Sequence, residues 1–215
     1  MTLSTTTLLQ GVNQLMLMVG ERQVSDLTSY PAQKALLALS QALQDISVYN
    51  NWDFCKAQTV ATSWSTDTAT VDNMRVLYKV TYNSSSGARP LLAVSRESFP
   101  HNFTQSGTPS TYCVGSYNEV KFSPYPTTTD EKAAVIFHYQ KELVMPTVTT
   151  DKFPIPESMV PILIKGAAAY MHQLHLDDQG AFKTYYEAFQ AALYQARASK
   201  IGRVKTEISM YRSGG

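Results

Sequence analysis

Residues 159–196 read MVPILIKGAAAYMHQLHLDDQGAFKTYYEAFQAALYQA, and their periodicity organises the chain. Met159, Ile162, Leu163, Gly166, Ala167, Tyr170, Met171 and Leu174 recur at the spacing that gathers side chains on one face of an α-helix. Pro161 fits a first helical turn, where its missing N–H has no bond to lose. Asp177-Asp178-Gln179-Gly180 interrupts the pattern, and Phe182, Tyr185, Tyr186, Phe189, Leu193 and Ala196 resume it. So short a break makes the two helices an antiparallel hairpin.

Such a hairpin cannot bury both stripes alone in water. The start of the chain supplies a second pair. Leu8, Val12, Leu15, Met16 and Val19 are helically spaced, with Thr6 or Thr7 as N-cap and Gly20 as C-cap. After the connector Gln23–Tyr30, Pro31 opens a second helix that runs to about Asn50, with Ala35, Leu36, Leu39, Leu43 and Ile46 on one face. Trp52 and Phe54 follow as apolar anchors.

Between the two pairs the period changes to two. Arg75–Tyr82 reads as a strand with Val76, Tyr78, Val80 and Tyr82 on one face; Tyr112–Val114, Glu119–Phe122 and Ala134–Tyr139 continue the pattern. Ser84-Ser85-Ser86-Gly87, Gly115-Ser116 and Pro124–Thr129 supply loops, so an antiparallel sheet or small sandwich is expected. The predicted class is α+β: a four-helix body from residues 1–56 and 154–200, an inserted antiparallel β region over 57–153, and an arm over 201–215.

Composition narrows the role. Asp, Glu, Lys and Arg make up only 16% of the 215 residues, against roughly a quarter in an ordinary soluble domain. Polarity comes from Ser, Thr, Gln, Asn and 13 Tyr, a surface suited to subunit packing or to a β-rich binding module. A net charge of +1 advertises neither nucleic acid nor membrane. Cys55 and Cys113 are too few for a structural zinc site or a disulfide framework; small apolar roles or a single bridge both fit. No apolar run reaches the length of a membrane span. The start lacks the basic region and long apolar run of a secretory signal, so the chain is expected to be made and kept in a cytoplasm or exported by a route other than Sec.

Catalytic patterns are hard to find. His172 and His175, followed by Asp177 and Asp178, form the best metal candidate, but the i, i+4 pair of zinc enzymes is missing. A solvated helix end is the simpler reading. No nucleophile elbow or phosphate loop occurs, and Glu97, Glu119, Glu131 and Glu142 form no distinctive acid–base pair. The expectation is no enzyme, no metal and no cofactor. Tyr112, Tyr117, Phe122, Tyr125 and Tyr139 suit either sheet packing and subunit contacts or stacking on sugars or bases, so a β-rich recognition module, for example a carbohydrate-binding one, carried on the helical body is the alternative function. The tail from Ser199 shows no apolar periodicity. Its residues Lys200, Ile201, Arg203, Val204, Lys205, Ile208, Met210, Tyr211 and Arg212 read as an arm that docks on another protein.

Three blocks carry a family resemblance. Leu9-Gln10-Gly11-Val12-Asn13-Gln14-Leu15, Val19-Gly20-Glu21 and Val24-Ser25-Asp26-Leu27 resemble the opening of phage tail tubular protein A, with Asn51-Trp52-Asp53-Phe54 similar to its "GWxFN"-like element. Asn51 stands where that element usually has Gly. Ile155-Pro156-Glu157 before an Ala-rich helix is a second similarity. Tyr112–Tyr117, Phe122–Pro126 and Val135–Tyr139 resemble related phage neck and adaptor proteins. The resemblance implies a virion neck subunit, a head-to-tail adaptor in a ring typically of twelve copies. That ring would join the portal to a nozzle similar to tail tubular protein B, and genome DNA would pass through it unread. It also implies an arm directed at the portal and a β region directed at the nozzle, with Tyr112, Tyr117 and Tyr125 as candidate contacts there.

Overall fold

A computed structural model of the chain describes residues 3–99, 105–115 and 118–212. Among the described residues the helices are α1 (Leu8–Met18), α2 (Tyr30–Tyr49), α3 (Thr129–Ala133), α4 (Val160–Leu174) and α5 (Gln179–Arg212). The strands are β1 (Lys56–Thr59), β2 (Ser63–Trp64), β3 (Thr68–Thr70), β4 (Met74–Ser84), β5 (Gly87–Pro90), β6 (Leu92–Ala93), β7 (Thr111–Val114), β8 (Glu119–Ser123) and β9 (Val135–Lys141). The class is α+β. The chain divides into two compact units, one of Met1–Asn50 with Leu143–Gly215 and one of Asn51–Glu142.

Local chemistry sets the ends of α1. Thr7 caps its start, accepting from the Gln10 amide while the Gln10 side chain accepts from the Thr7 N–H. Past its end, Gly20 takes φ +78°, and the amides of Gly20 and Glu21 bond back to Leu17 and Met16. Pro31 lies in the first turn of α2.

In the helical unit α4 packs against α1, α2 and α5. Its burial therefore exceeds the single stripe expected from the sequence: Val160, Ile164, Ala168 and Ala169 are buried together with Leu163, Gly166, Ala167 and Met171. A helix with neighbours on several sides is apolar nearly all round. Leu174, placed on the stripe, is exposed at the end of the helix. Small residues permit the close approach. A Cβ on Gly166 would stand 2.8 Å from Phe189 Cε2 on α5 and 3.0 Å from Ala42 Cβ on α2.

Helix α5 departs from expectation at its far end. The loss of apolar periodicity near Lys200 reads as the end of the helix, yet α5 continues to Arg212. Periodicity reports which face is buried, whereas helicity needs only compatible residues. Between residues 197 and 212 there is no proline, and Gly202 is the one strong helix-disfavouring residue.

The second unit holds two sheets. One is antiparallel in the order β1-β9-β4-β5; the other runs β2-β3-β8-β7-β6. The purely antiparallel expectation fails at one pair, since β6 and β7 are parallel. Side chains from both sheets form one core, including Ala69, Val80, Tyr82, Val120, Phe122, Val135 and Phe137. Phe122 and Phe137 meet edge-on at 5.9 Å between ring centroids. The β4 alternation also needs correction. Its register against β9 shifts between Met74 and Val76 and again between Leu77 and Lys79. Each shift adds a residue and reverses the facing of the residues beyond it. Met74, Leu77, Val80 and Tyr82 therefore pack on the core, and Tyr78 is exposed. Its hydroxyl donates to the buried Gln140, whose amide in turn donates to the Trp52 carbonyl.

Helix α3 lies where only a turn is expected. Thr128 and Glu131 form a capping box there, a pairing visible in the sequence as Thr-x-x-Glu.

Candidate functional site

The N-terminal segment is fastened by one carboxylate. Glu157 opens the 3-10 turn that leads into α4. Its Oε1 accepts from Thr6 Oγ1 at 2.7 Å, and its Oε2 accepts from Ser4 Oγ at 2.7 Å and the Thr5 amide at 2.8 Å. These bonds, led by the Thr6 and Ser4 hydroxyls, hold the Glu157 pKa down to about 2. The Ser4 amide also donates to the Ile155 carbonyl at 2.8 Å, and the Leu8 amide to that of Asp151. The run Ile155-Pro156-Glu157 is thus the anchor of the chain's beginning. The Ser/Thr cluster at residues 4–7 is the only local signal of this clasp, and its partner lies more than 150 positions away.

His172 and His175 do not come together as ligands. His172 stacks on Tyr185 at 5.2 Å and 10°, and its Nδ1 lies 3.9 Å from Asp178. Asp178 caps α5 by accepting from the Ala181 amide at 2.9 Å. Among the described residues no group of three or more His, Cys, Asp or Glu stands close enough to hold a metal ion. Both cysteines are buried and are joined in no disulfide. Burial pushes the Cys113 thiol pKa up, which suits a packing residue.

His175 instead lines a small, partly open cleft in the helical unit, near the start of α2 and the end of α4. Met16, Met171, Tyr30, Lys34 and Glu21 also line it. Lys34 Nζ sits 4.4 Å from the centre of the Tyr30 ring. Nearby, Tyr170 of α4 donates its hydroxyl to Asp45 of α2, and burial together with this bond raises its pKa. On α5 the Tyr186 ring meets those of Phe182 and Phe189 and, across the α4–α5 seam, that of Tyr170.

Of the β-region candidates, Tyr112 is only 5% exposed and belongs to the core shared by the sheets. Its ring is therefore engaged inside its own unit. Tyr125 is half-buried against the same core, and Tyr117 lies outside the described residues. Trp64 packs on Phe122 at 5.3 Å. The aromatic faces of Tyr112, Trp64 and Phe122 are used within the unit. The backbone of the arm candidates Ile201, Arg203, Val204, Lys205, Ile208, Met210, Tyr211 and Arg212 is part of α5. Their side chains, like that of Lys200, lie outside the described residues. No helix among the described residues is long and apolar enough to cross a membrane.

Exposed apolar side chains are spread over the helical unit: Leu17 on α1, Tyr30, Leu37 and Val48 on α2, and Tyr194 on α5. The exposed positions of α2 also include Gln33, Gln41 and Gln44, while its two charged residues, Lys34 and Asp45, are half-buried. A surface of this kind is chemically suited to subunit contact, where charge is depleted and tyrosine enriched.

Comparison with curated proteins yields no match. The family model of the SU10 adaptor protein matches residues 6–210, taking in both compact units. Its common ground with the sequence resemblance is a phage adaptor. The match spans nearly the whole chain, so the chain belongs to the SU10 adaptor protein family and is a structural protein of the bacteriophage virion.

Proposed function

We propose that the chain is a head-to-tail adaptor subunit of a tailed phage. Copies assemble into a ring, twelve-membered in keeping with the tail tubular protein A resemblance, between the portal and the tail nozzle. Genome DNA passes through the lumen without sequence-specific contact. The observation that carries this reading is the adaptor-family match over residues 6–210. The low charge and the charge-poor exposed face of α2 support it, because a subunit flanked by copies of itself turns much of its surface into interface.

The helical unit forms the ring wall, the arm over residues 201–215 docks on the portal, and the β unit faces the nozzle. At +1 the chain has little net charge with which to retain DNA phosphates during ejection. Mass photometry and electron microscopy of the protein with its cognate portal test this function. A ring and a portal complex are expected; absence of both refutes it. Deleting Ser199–Gly215 is expected to preserve the helical circular dichroism of the remaining chain and weaken portal binding. Equal binding by the truncated protein refutes the role of the arm.

A further inference from the structure

Helices α2 and α5 run in one direction. Lys34 of α2 lines the cleft with His175 just past the end of α4, and Ala42 lies by Gly166 in the middle of α4, so α2 is antiparallel to α4. Helix α5 is antiparallel to α4 as well, since His172 stacks on Tyr185 and Gly166 faces Phe189. Being parallel within one chain, α2 and α5 stay parallel between copies related by rotation about an axis along the helices.

Their outward faces match in spacing and in height. On α2, Leu37, Gln41, Gln44 and Val48 are exposed at steps of four, three and four residues. Leu37 and Val48 are 54% and 68% exposed, on the side of a helix where charge normally gathers. The charged residues of α2 are engaged within the chain, Lys34 over the Tyr30 ring and Asp45 accepting from the Tyr170 hydroxyl. On α5, Thr184, Ala188, Ala191 and Gln195 are exposed at the same steps. Beside them Lys183 and Glu187 pair with each other at 3.9 Å. Gly166 faces both Ala42 and Phe189, which fixes the relative heights of the two helices. Leu37 comes five residues before Ala42, and Thr184 five before Phe189, so the two rows stand level. Steps of three and four are the spacing by which parallel helices interlock along their length.

We propose that α2 of one copy packs lengthwise against α5 of the next, layering Leu37 on Thr184, Gln41 on Ala188, Gln44 on Ala191 and Val48 on Gln195. The longer glutamines of α2 meet the two alanines of α5, and no layer buries a charge. The two faces belong to different helices of the chain, so the contact is heterologous, the type that closes into rings. The inference rests on the ring reading above and names the seam of that ring.

The test uses the full-length protein with portal and a short bismaleimide, which links only neighbouring thiols. Gln44→Cys and Ala191→Cys are made as separate variants; the native Cys55 and Cys113 are buried. An equal mixture is expected to give covalent dimers, and each variant alone, like the wild type, none. In mass photometry across a dilution series, Leu37→Glu is expected to weaken association between copies by about 30-fold, as for loss of a buried anchor. Its circular dichroism should remain unchanged, since the side chain is exposed in the single copy. Ala191→Glu should weaken association from the other side of the seam. Rings that form without cross-linking in the mixture, or that tolerate both charges, overturn this seam and leave the ring reading standing. Cross-linked dimers from either variant alone point to a two-fold contact and overturn it too. If the wild-type protein forms no ring even with portal, the ring reading fails and the seam with it.

Discussion

Gly166 offers a quantitative test of how tightly the helical unit is packed. Replacing it with Ala in mid-helix removes a glycine penalty of about 1 kcal/mol. Opposing that gain, the new methyl carbon would lie 2.8 and 3.0 Å from two ring carbons of Phe189 and 3.0 Å from the Ala42 methyl. Phe189 is fully buried, so its ring cannot swing into solvent. Overpacking a core by one methyl costs about 1–3 kcal/mol, leaving a net loss of about 1 kcal/mol for Gly166→Ala when set against the propensity gain. Phe189→Ala alone should cost about 3–5 kcal/mol through lost burial and a residual cavity. In that background the Gly166 methyl meets no ring, and Gly166→Ala should become neutral or stabilising. The expected coupling is therefore about 1–2 kcal/mol. Urea titration followed by circular dichroism at 222 nm reports chiefly on α1, α2, α4 and α5. Fluorescence of Trp52 and Trp64 reports on the other unit, to which both tryptophans belong. With a urea slope of about 2 kcal/mol per molar, the single Gly166→Ala change should lower the midpoint by about 0.5 M. A midpoint raised in the parent, or an identical effect in both backgrounds, refutes tight contact among α2, α4 and α5.

The caps and clasps give three further expected outcomes. Glu157 has its pKa lowered from 4.5 to about 2 by the Thr6, Ser4 and Thr5 hydrogen bonds. Its contribution to stability is therefore fully present above pH 4.5 and disappears as the pH falls through about 2. Glu157→Gln should flatten that part of the acid-unfolding curve and speed amide exchange at Thr5 and Thr6; an unchanged curve counts against the clasp. Thr7→Ala removes the α1 cap and should cost about 1 kcal/mol in thermal or urea unfolding, with Thr7→Ser retaining most of it. Gly11→Ala would place a methyl 2.4 Å from Phe153 Cε2, so the midpoint of the helical unit should fall despite the gain in helix propensity; a rise would show that Phe153 yields.

Legibility in the sequence tracks the range of the interactions. The Thr7–Gln10 cap, the Gly20 terminator, Pro31 in the first turn of α2 and the Asp177–Gly180 break are contacts within a few residues, and local spacing is enough to read them. The α+β class is readable because a change of period from 3.6 to 2 requires no knowledge of distant partners. Glu157 is different. Its motif is visible, but its partners Ser4, Thr5 and Thr6 are brought to it only by the folded path of the chain. The cleft around His175 likewise draws Met16, Pro31 and Met171 from three helices.

Sequence alone determined the alternation of helical and extended segments, the shortage of charge and the motifs of a phage adaptor, because propensity, composition and local spacing are properties of neighbouring residues. Tertiary structure decided the rest. Register shifts against β9 turned Tyr78 outward, and neighbours on several sides buried α4 beyond its stripe. The core shared by two sheets absorbed Tyr112. The physical reason is the same in each case: a side chain's exposure depends on what the fold brings against it, and that partner can lie anywhere in the chain.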